Sequence, residues 1–354
     1  QNNNGPNETW VGYNKAITLT NNQLPIQQWN TMPQIDTPRI LSTTSLRRMF
    51  LFCTELTDQK FGNMKNFVLT DLSQNNFYQP VEMFRGCKKF DSDLGLWNTI
   101  NFTNIYQIFE NCIEFTGKGL ENWNFTNCFQ VGGAFKKCSK FNANVSDWNF
   151  SQQVNDVRNM FQDCSKFQGI GIENWSWTGF FPSLNENDNM IYPNGFGNTF
   201  NGCSVFNPNN DIIWDVSLCV NFDSMFKNCS LFEGKGLPYW DVSSAGILTD
   251  INDSLINLFN PFKEIFLNCT NFNQNLKDWH FPNISRKEDL TNMFNNSGMD
   301  VINMTWTLVY WGKSSFNNPT DSSFYDFGMD GVSYYADKYG VNDLSNNHNF
   351  RYSS

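Results

Sequence analysis

Apolar residues along this chain fall into one phrase that keeps returning: an apolar residue, Phe, two residues, Cys, two residues, Phe. It reads Met49-Phe50 with Cys53, then Met83-Phe84 with Cys87 and Phe90. It recurs as Phe109, Cys112, Phe115; as Phe135, Cys138, Phe141; and as Phe161, Cys164, Phe167. Phe200, Cys203, Phe206; Phe226, Cys229, Phe232; and Phe266, Cys269, Phe272 follow, and a ninth copy at Met293-Phe294 carries Ser297 in place of Cys. Seven copies place a Trp seven or eight residues after the second Phe, at Trp97, Trp123, Trp148, Trp175, Trp214, Trp240 and Trp279. From Phe84 onward the motif Phe residues keep a near-constant spacing, widened only from Phe161 to Phe200 and from Phe226 to Phe266. A fixed period of about 26 residues predicts coils that bury their apolar side only against their neighbours.

The spacing predicts the elements of each coil. Asn104, Asp156, Asn221 and Asp289 stand five residues before a motif Phe, where each is placed to N-cap a short helix. That helix holds Phe and Cys on one face, at i and i+3. The segment from the second Phe to Trp reads as a short strand, and the residues after Trp as a turn. Three copies insert Gly-x-Gly before the Trp, at Gly117 and Gly119, Gly169 and Gly171, and Gly234 and Gly236. The expected architecture is an α/β solenoid of the leucine-rich-repeat kind. It has about nine coils over 46–299, an N-terminal cap over 1–45 and a C-terminal cap over 300–354, with rungs about 4.7–4.9 Å apart if the strands pair. Inserts around 176–192 and 244–260, and an enlarged first copy around 57–76, are expected on a similar side of the stack. Such inserts are either contact loops or tolerated surface drift.

Composition narrows the function. Aromatic residues make up 16% of the chain, 35 of them Phe, which excludes a disordered polymer. The formal charge of −10 disfavours phosphate backbones and anionic lipid, so no nucleic-acid partner is expected. No apolar run approaches the length of a membrane span. A first residue of Gln1 fits a secreted chain whose signal peptide has been removed.

The repeats closely resemble those of the BspA-like leucine-rich-repeat surface proteins, which write Met-Phe-x-x-(Cys or Ala)-x-x-Phe-Asn and then Leu-x-x-Trp-(Asp or Asn)-Val-Ser. The match runs over roughly residues 45 to 300, with Trp-Asp-Val-Ser itself at 214 and 240. The end, Trp306-Thr-Leu-Val-Tyr-Trp311-Gly and then Tyr334 to Gly340, is similar to that family's closing unit. The chain departs from the pattern in its long inserts and high Phe content. The resemblance implies a leucine-rich-repeat-like solenoid, a cell-surface or extracellular location, and adhesion.

Chemistry-bearing residues are sparse. Two His, His280 and His348, leave little for a His-based triad or metal site. No catalytic, cofactor-binding or metal residue is expected. Asp91 with Asp93, and the run Asn185 to Asp188, read as solvated loop acids rather than Ca²⁺ ligands. Eight of ten Cys share one repeat position, while Cys128 and Cys219 share a second. They read as small buried residues with free thiols, although an oxidising compartment would permit neighbours such as Cys203 and Cys229 to bridge. Of twelve Asn-x-Ser/Thr sequons, Asn7, Asn252 and Asn303 lie outside the regular coils and are the candidate N-glycosylation sites. Two functions follow as expectations. The first is a non-enzymatic surface protein that recognises a protein or glycan; the alternative is a structural subunit that self-associates into a filament, coat or virion surface.

Overall fold

Each copy of the repeat is a run of fused β-turns in which alternate backbone N–H groups serve different partners. Around Phe109, the N–H groups of Ile108, Glu110 and Cys112 close turns on the carbonyls of Ile105, Gln107 and Phe109, at 3.0–3.2 Å. The N–H groups between them, on Ile105, Gln107, Phe109 and Asn111, donate instead to Gln130, Gly132, Ala134 and Lys136 of the following copy, at 2.7–3.0 Å. This computed structural model describes residues 45–58, 64–66, 79–151, 154, 156–177, 183–185, 190–192, 195–246, 260–284 and 287–314, with short strands at 8–12, 15–19 and 39–40.

The same register joins all nine copies. At each of eight junctions the motif Phe donates its N–H to the residue preceding the next motif Phe, at 2.8–3.1 Å. Phe161 reaches Thr199 as Phe135 reaches Met160, although an insert separates the first pair.

The expected short helix is absent from these runs, and the reason is backbone conformation. The residues two before and two after every motif Phe have φ between 52° and 83°. Two left-handed residues in five cannot continue a right-handed helix, but each fits the third position of a type II turn. Ten of these eighteen positions hold Asn or Gly, the types that reach this region most readily. The expected N-caps therefore cap turns: Asn104, Asp156 and Asn221 accept the N–H two residues on, from Tyr106, Arg158 and Asp223, at 2.9–3.1 Å. Asp289 is buried.

The expected strand between the second Phe and Trp does not form either. Among the described residues, pairing between copies outside the turn runs is confined to single bonds such as Leu94 N–H to Lys118 and Val145 N–H to Ile170. Among the described residues parallel bridges occur only at the start of the runs, Asn104–Gln130, Gln130–Asp156 and Gly195–Asn221. Where Gly-x-Gly precedes Trp, the chain makes a single 3₁₀ turn, at Leu120–Asn122, Ile172–Asn174 and Leu237–Tyr239. The second Gly of these pairs is a contact requirement. A Cβ on Gly119 would lie 2.1 Å from the N of Gly95 in the preceding copy, and its φ is +84°.

Regular elements lie outside the turn runs. Strands β1 (Glu8–Gly12), β2 (Lys15–Leu19) and β3 (Arg39–Ile40) form an antiparallel sheet in the order β2-β1-β3, with Trp10 paired to Ile17 and Ile40. β4 (Ser183–Asn185) and β5 (Met190–Tyr192) pair antiparallel within the first insert. Helix α1 (Val301–Ser314) follows the ninth copy and buries Met304, Thr307 and Trp311, spaced three and four apart on one face. The remainder of the N-terminal segment, most of both inserts, most of the enlargement within 57–76 and residues 315–354 lie outside the described residues.

Candidate functional surface

Three aromatic columns form the interior. Phe50, Phe84, Phe109, Phe135, Phe161, Phe200, Phe226, Phe266 and Phe294 stack in sequence with ring centroids 5.2–6.1 Å apart. The rings stack offset, so their centroids lie further apart than hydrogen-bonded backbones do. The second Phe residues form a parallel column at 5.5–6.3 Å, from Phe90 to Phe272. Trp97, Trp123, Trp148, Trp175, Trp214, Trp240 and Trp279 form the third column, each at most 4% exposed.

Polar atoms in this interior bond across copies. Each of these seven indole N–H groups donates to a carbonyl of the copy before it, at 2.7–3.2 Å. From Trp123 onward the acceptor belongs to a buried aliphatic residue two or three positions before the preceding Trp, from Leu94 to Leu237. Trp311 continues the series on Leu276 at 2.7 Å, from within α1. Sequence reasoning placed Trp311 in the C-terminal cap and missed its place in the column, since its spacing from Phe294 breaks the pattern. The aliphatic acceptors were also missed, although an apolar residue before each Trp signals them.

The Cys position is equally uniform. The thiols of Cys87, Cys112, Cys138, Cys164, Cys203, Cys229 and Cys269 each donate to the carbonyl of the preceding motif Phe, at 2.8–3.1 Å. All ten Cys are free, and nine are buried. Burial raises each thiol pKa, to about 12 for Cys128 and Cys219 and to about 11 for half-buried Cys53. These protonated donors are poor nucleophiles and poor metal ligands.

Outside the columns the polar side chains also bind from copy to copy. Arg48, Glu82, Arg85 and Glu110 form a chain of ion pairs at 2.7–3.1 Å. Burial pushes the Glu82 carboxyl up, but hydrogen bonds and charge from Arg48 and Arg85 outweigh it and hold its pKa below the usual range. Ser139, Ser165, Ser204, Ser230 and Thr270 each donate a hydroxyl to the preceding copy, at 3.0–3.3 Å. Asn228, Asn268 and Asn296 donate their amides in series to Asn201, Asn228 and Asn268.

Of the acids considered as Ca²⁺ ligands, Asp91 and Asp93 have internal partners, while Glu186 to Asp188 lie outside the described residues. Asp91 accepts from Thr116 and pairs with Lys118 at 3.1 Å; Asp93 accepts from Gly95 and pairs with Lys65 at 2.8 Å. Among the described residues no group of three or more His, Cys, Asp or Glu could hold a metal ion. Of the sequon candidates, Asn303 sits in the first turn of α1 with its amide donating to Asn273 Oδ1 at 2.9 Å. Asn7 and Asn252 lie outside the described residues. No described helix is long and apolar enough to cross a membrane.

A family model matches most of this repeat. The family model described as "Mycoplasma protein of unknown function, DUF285" matches residues 76–179 and 194–306, more than half of the chain. The gap between the two matches, 180–193, contains the β4–β5 hairpin. No curated protein and no solved structure matches the chain.

Proposed function

The chain belongs to the DUF285 family, and from that premise we propose that it is a surface-displayed solenoid of the BspA-like leucine-rich-repeat kind. It acts by recognising a protein or glycan, and not by catalysis. The observation that carries this reading is the constancy of register across the inserts. The step from Phe161 to Phe200 is half as long again as the step from Phe135 to Phe161, yet the junction bond remains 2.9 Å. The step from Phe226 to Phe266 is longer still and keeps its bond at 3.1 Å. A scaffold that absorbs added chain without moving its rungs presents that chain as loops on a rigid support, the usual placement of recognition residues.

The interior supports the non-catalytic part of the reading. Its thiols and indoles are hydrogen-bonded donors, and the acids at Asp91 and Asp93 are bound to neighbouring copies. The test is a loop deletion. Removing residues 181–193 restores the step length found between Phe135 and Phe161, so the rungs should remain joined. Wild-type and deleted chains are compared on glycan arrays and immobilised extracellular-matrix proteins, with thermal melts as a folding control. Binding by the wild type that is lost with the loop at unchanged melting supports the reading. No binding to any surface, or binding that survives both this deletion and a matching one within 244–260, overturns it.

A further inference from the structure

The two ends of the repeat are hydrogen-bonding complements of each other. At each of the eight junctions the N–H groups at positions −2, 0 and +2 from a motif Phe donate to carbonyls at −3, −1 and +1 of the next copy. No further copy follows the ninth among the described residues, and there the N–H groups of Asn292, Phe294 and Asn296 find no acceptor. No copy precedes the first among the described residues, and among them the carbonyls of Arg47, Met49 and Leu51 find no donor. Helix α1 closes the apolar side of the last copy, with Trp311 stacked on Phe294 at 6.1 Å and edge-on to Phe281 at 4.6 Å. Among the described residues nothing matches that copy's hydrogen-bonding side.

We propose that the last copy of one molecule pairs with the first copy of a second, donating through Asn292, Phe294 and Asn296 to Arg47, Met49 and Leu51 in the register used within the chain. A side-chain observation fits the same junction. Every later thiol in the Cys column bonds to the Phe carbonyl of the copy before it, and among the described residues only Cys53 has no such carbonyl. In the pairing, the Phe294 carbonyl of the first molecule supplies it. The contact is heterologous and does not close on itself, so it extends to linear chains. It uses surfaces separate from the insert loops and stands or falls apart from the recognition reading.

A charge at Asn295 tests the junction without touching its backbone groups. Position +1 of one copy faces position −2 of the next, as Lys227 faces Glu264 at 2.5 Å. In the pairing, Asn295 therefore faces Arg48 of the second molecule, whose guanidinium an acid at 295 would share with Glu82. Sedimentation velocity over a concentration series, with negative-stain images, should show linear association of the wild-type chain. Asn295→Glu should tighten it about two- to fivefold and Asn295→Lys weaken it by a similar factor, as an exposed ion pair dictates. High salt should bring the variants together, and alkylation of Cys53 should slow in the associated fraction. A monomer at every concentration for wild type and Asn295→Glu, or association equal in both variants, overturns the proposal.

Discussion

Replacing Lys137 with Gly should stabilise the protein, although it removes a whole side chain. Lys137 occupies the +2 position of its turn run with φ 62°, and it is exposed. Holding an L-residue in this left-handed region costs about 1–2 kcal/mol, because its Cβ crowds the following carbonyl. Gly relieves that strain but loses about 0.5–1 kcal/mol more in backbone entropy on folding. The net gain is therefore about 0–1.5 kcal/mol. Nothing else in the fold opposes the change: the Lys137 N–H, which donates to Gln162 at 2.7 Å, is kept by Gly, and Gly86 and Gly202 already fill the same position in other copies. Lys137→Val is the matched control, since β-branching makes this conformation a severe outlier and should destabilise by about 1 kcal/mol or more. Equilibrium urea unfolding reads both, with the Gly variant moving the midpoint up at unchanged slope. A Gly variant less stable than wild type by about 0.5 kcal/mol, or Gly and Val variants that match, would refute the turn geometry.

The other predictions concern the interior. Phe135 is fully buried and stacks on Phe109, Phe141, Phe161 and Trp148 at 4.7–5.7 Å, so Phe135→Ala should cost about 3–5 kcal/mol in the same urea assay. A loss below about 1 kcal/mol would mean the column is not the core. Gly119→Ala drives a Cβ to 2.1 Å from backbone N of Gly95 and should cost more than about 2 kcal/mol, whereas exposed Ile302→Ala should stay within about 0.5 kcal/mol. Stability should fall as pH rises above about 8.5, where unfolded thiols begin to ionise while Cys128 and Cys219 stay protonated to about 12. In that window the folded state binds more protons, so each such thiol costs up to about 1.4 kcal/mol per pH unit. Unfolding midpoints measured from pH 8 to 10 should decline less steeply in Cys128→Ala; an identical slope would remove the thiols as the cause.

The contact columns were legible because burial leaves a mark at fixed spacing. Phe84, Cys87, Phe90 and Trp97 recur as types, and repetition in nine copies identifies positions that one copy could not. The conformation of the backbone was not legible from that apolar pattern, since Phe and Cys at i and i+3 fit a helix and a pair of fused turns equally well. The discriminating signal lay in the polar residues beside them. Asn111, Asn228, Asn268 and Gly86 sit where a helix has no use for Asn or Gly, and where a type II turn needs a left-handed residue. Trp311 escaped for the opposite reason: it fills the column from a helix, so its contact is preserved while its sequence spacing is not. The loops carried no periodic signal at all, and only their lengths were readable.

Turns succeed here where helices would not because of how they divide the backbone groups. A helix satisfies its N–H groups within itself and offers its neighbour side chains alone. In these runs every second N–H is spent locally and the others reach the next copy, so each rung is both a turn and one edge of a ladder. At seven of the eight junctions the Cys thiol and Trp indole add two more bonds from inside the core. Copies are thus registered by several directional bonds each, which is why the inserts leave Phe161 and Phe226 bonded as Phe135 is. The same division leaves donors on one terminal rung and acceptors on the other. A repeat built this way tolerates variation in its loops and is restrictive at its ends, and its contacts with other molecules should follow that split.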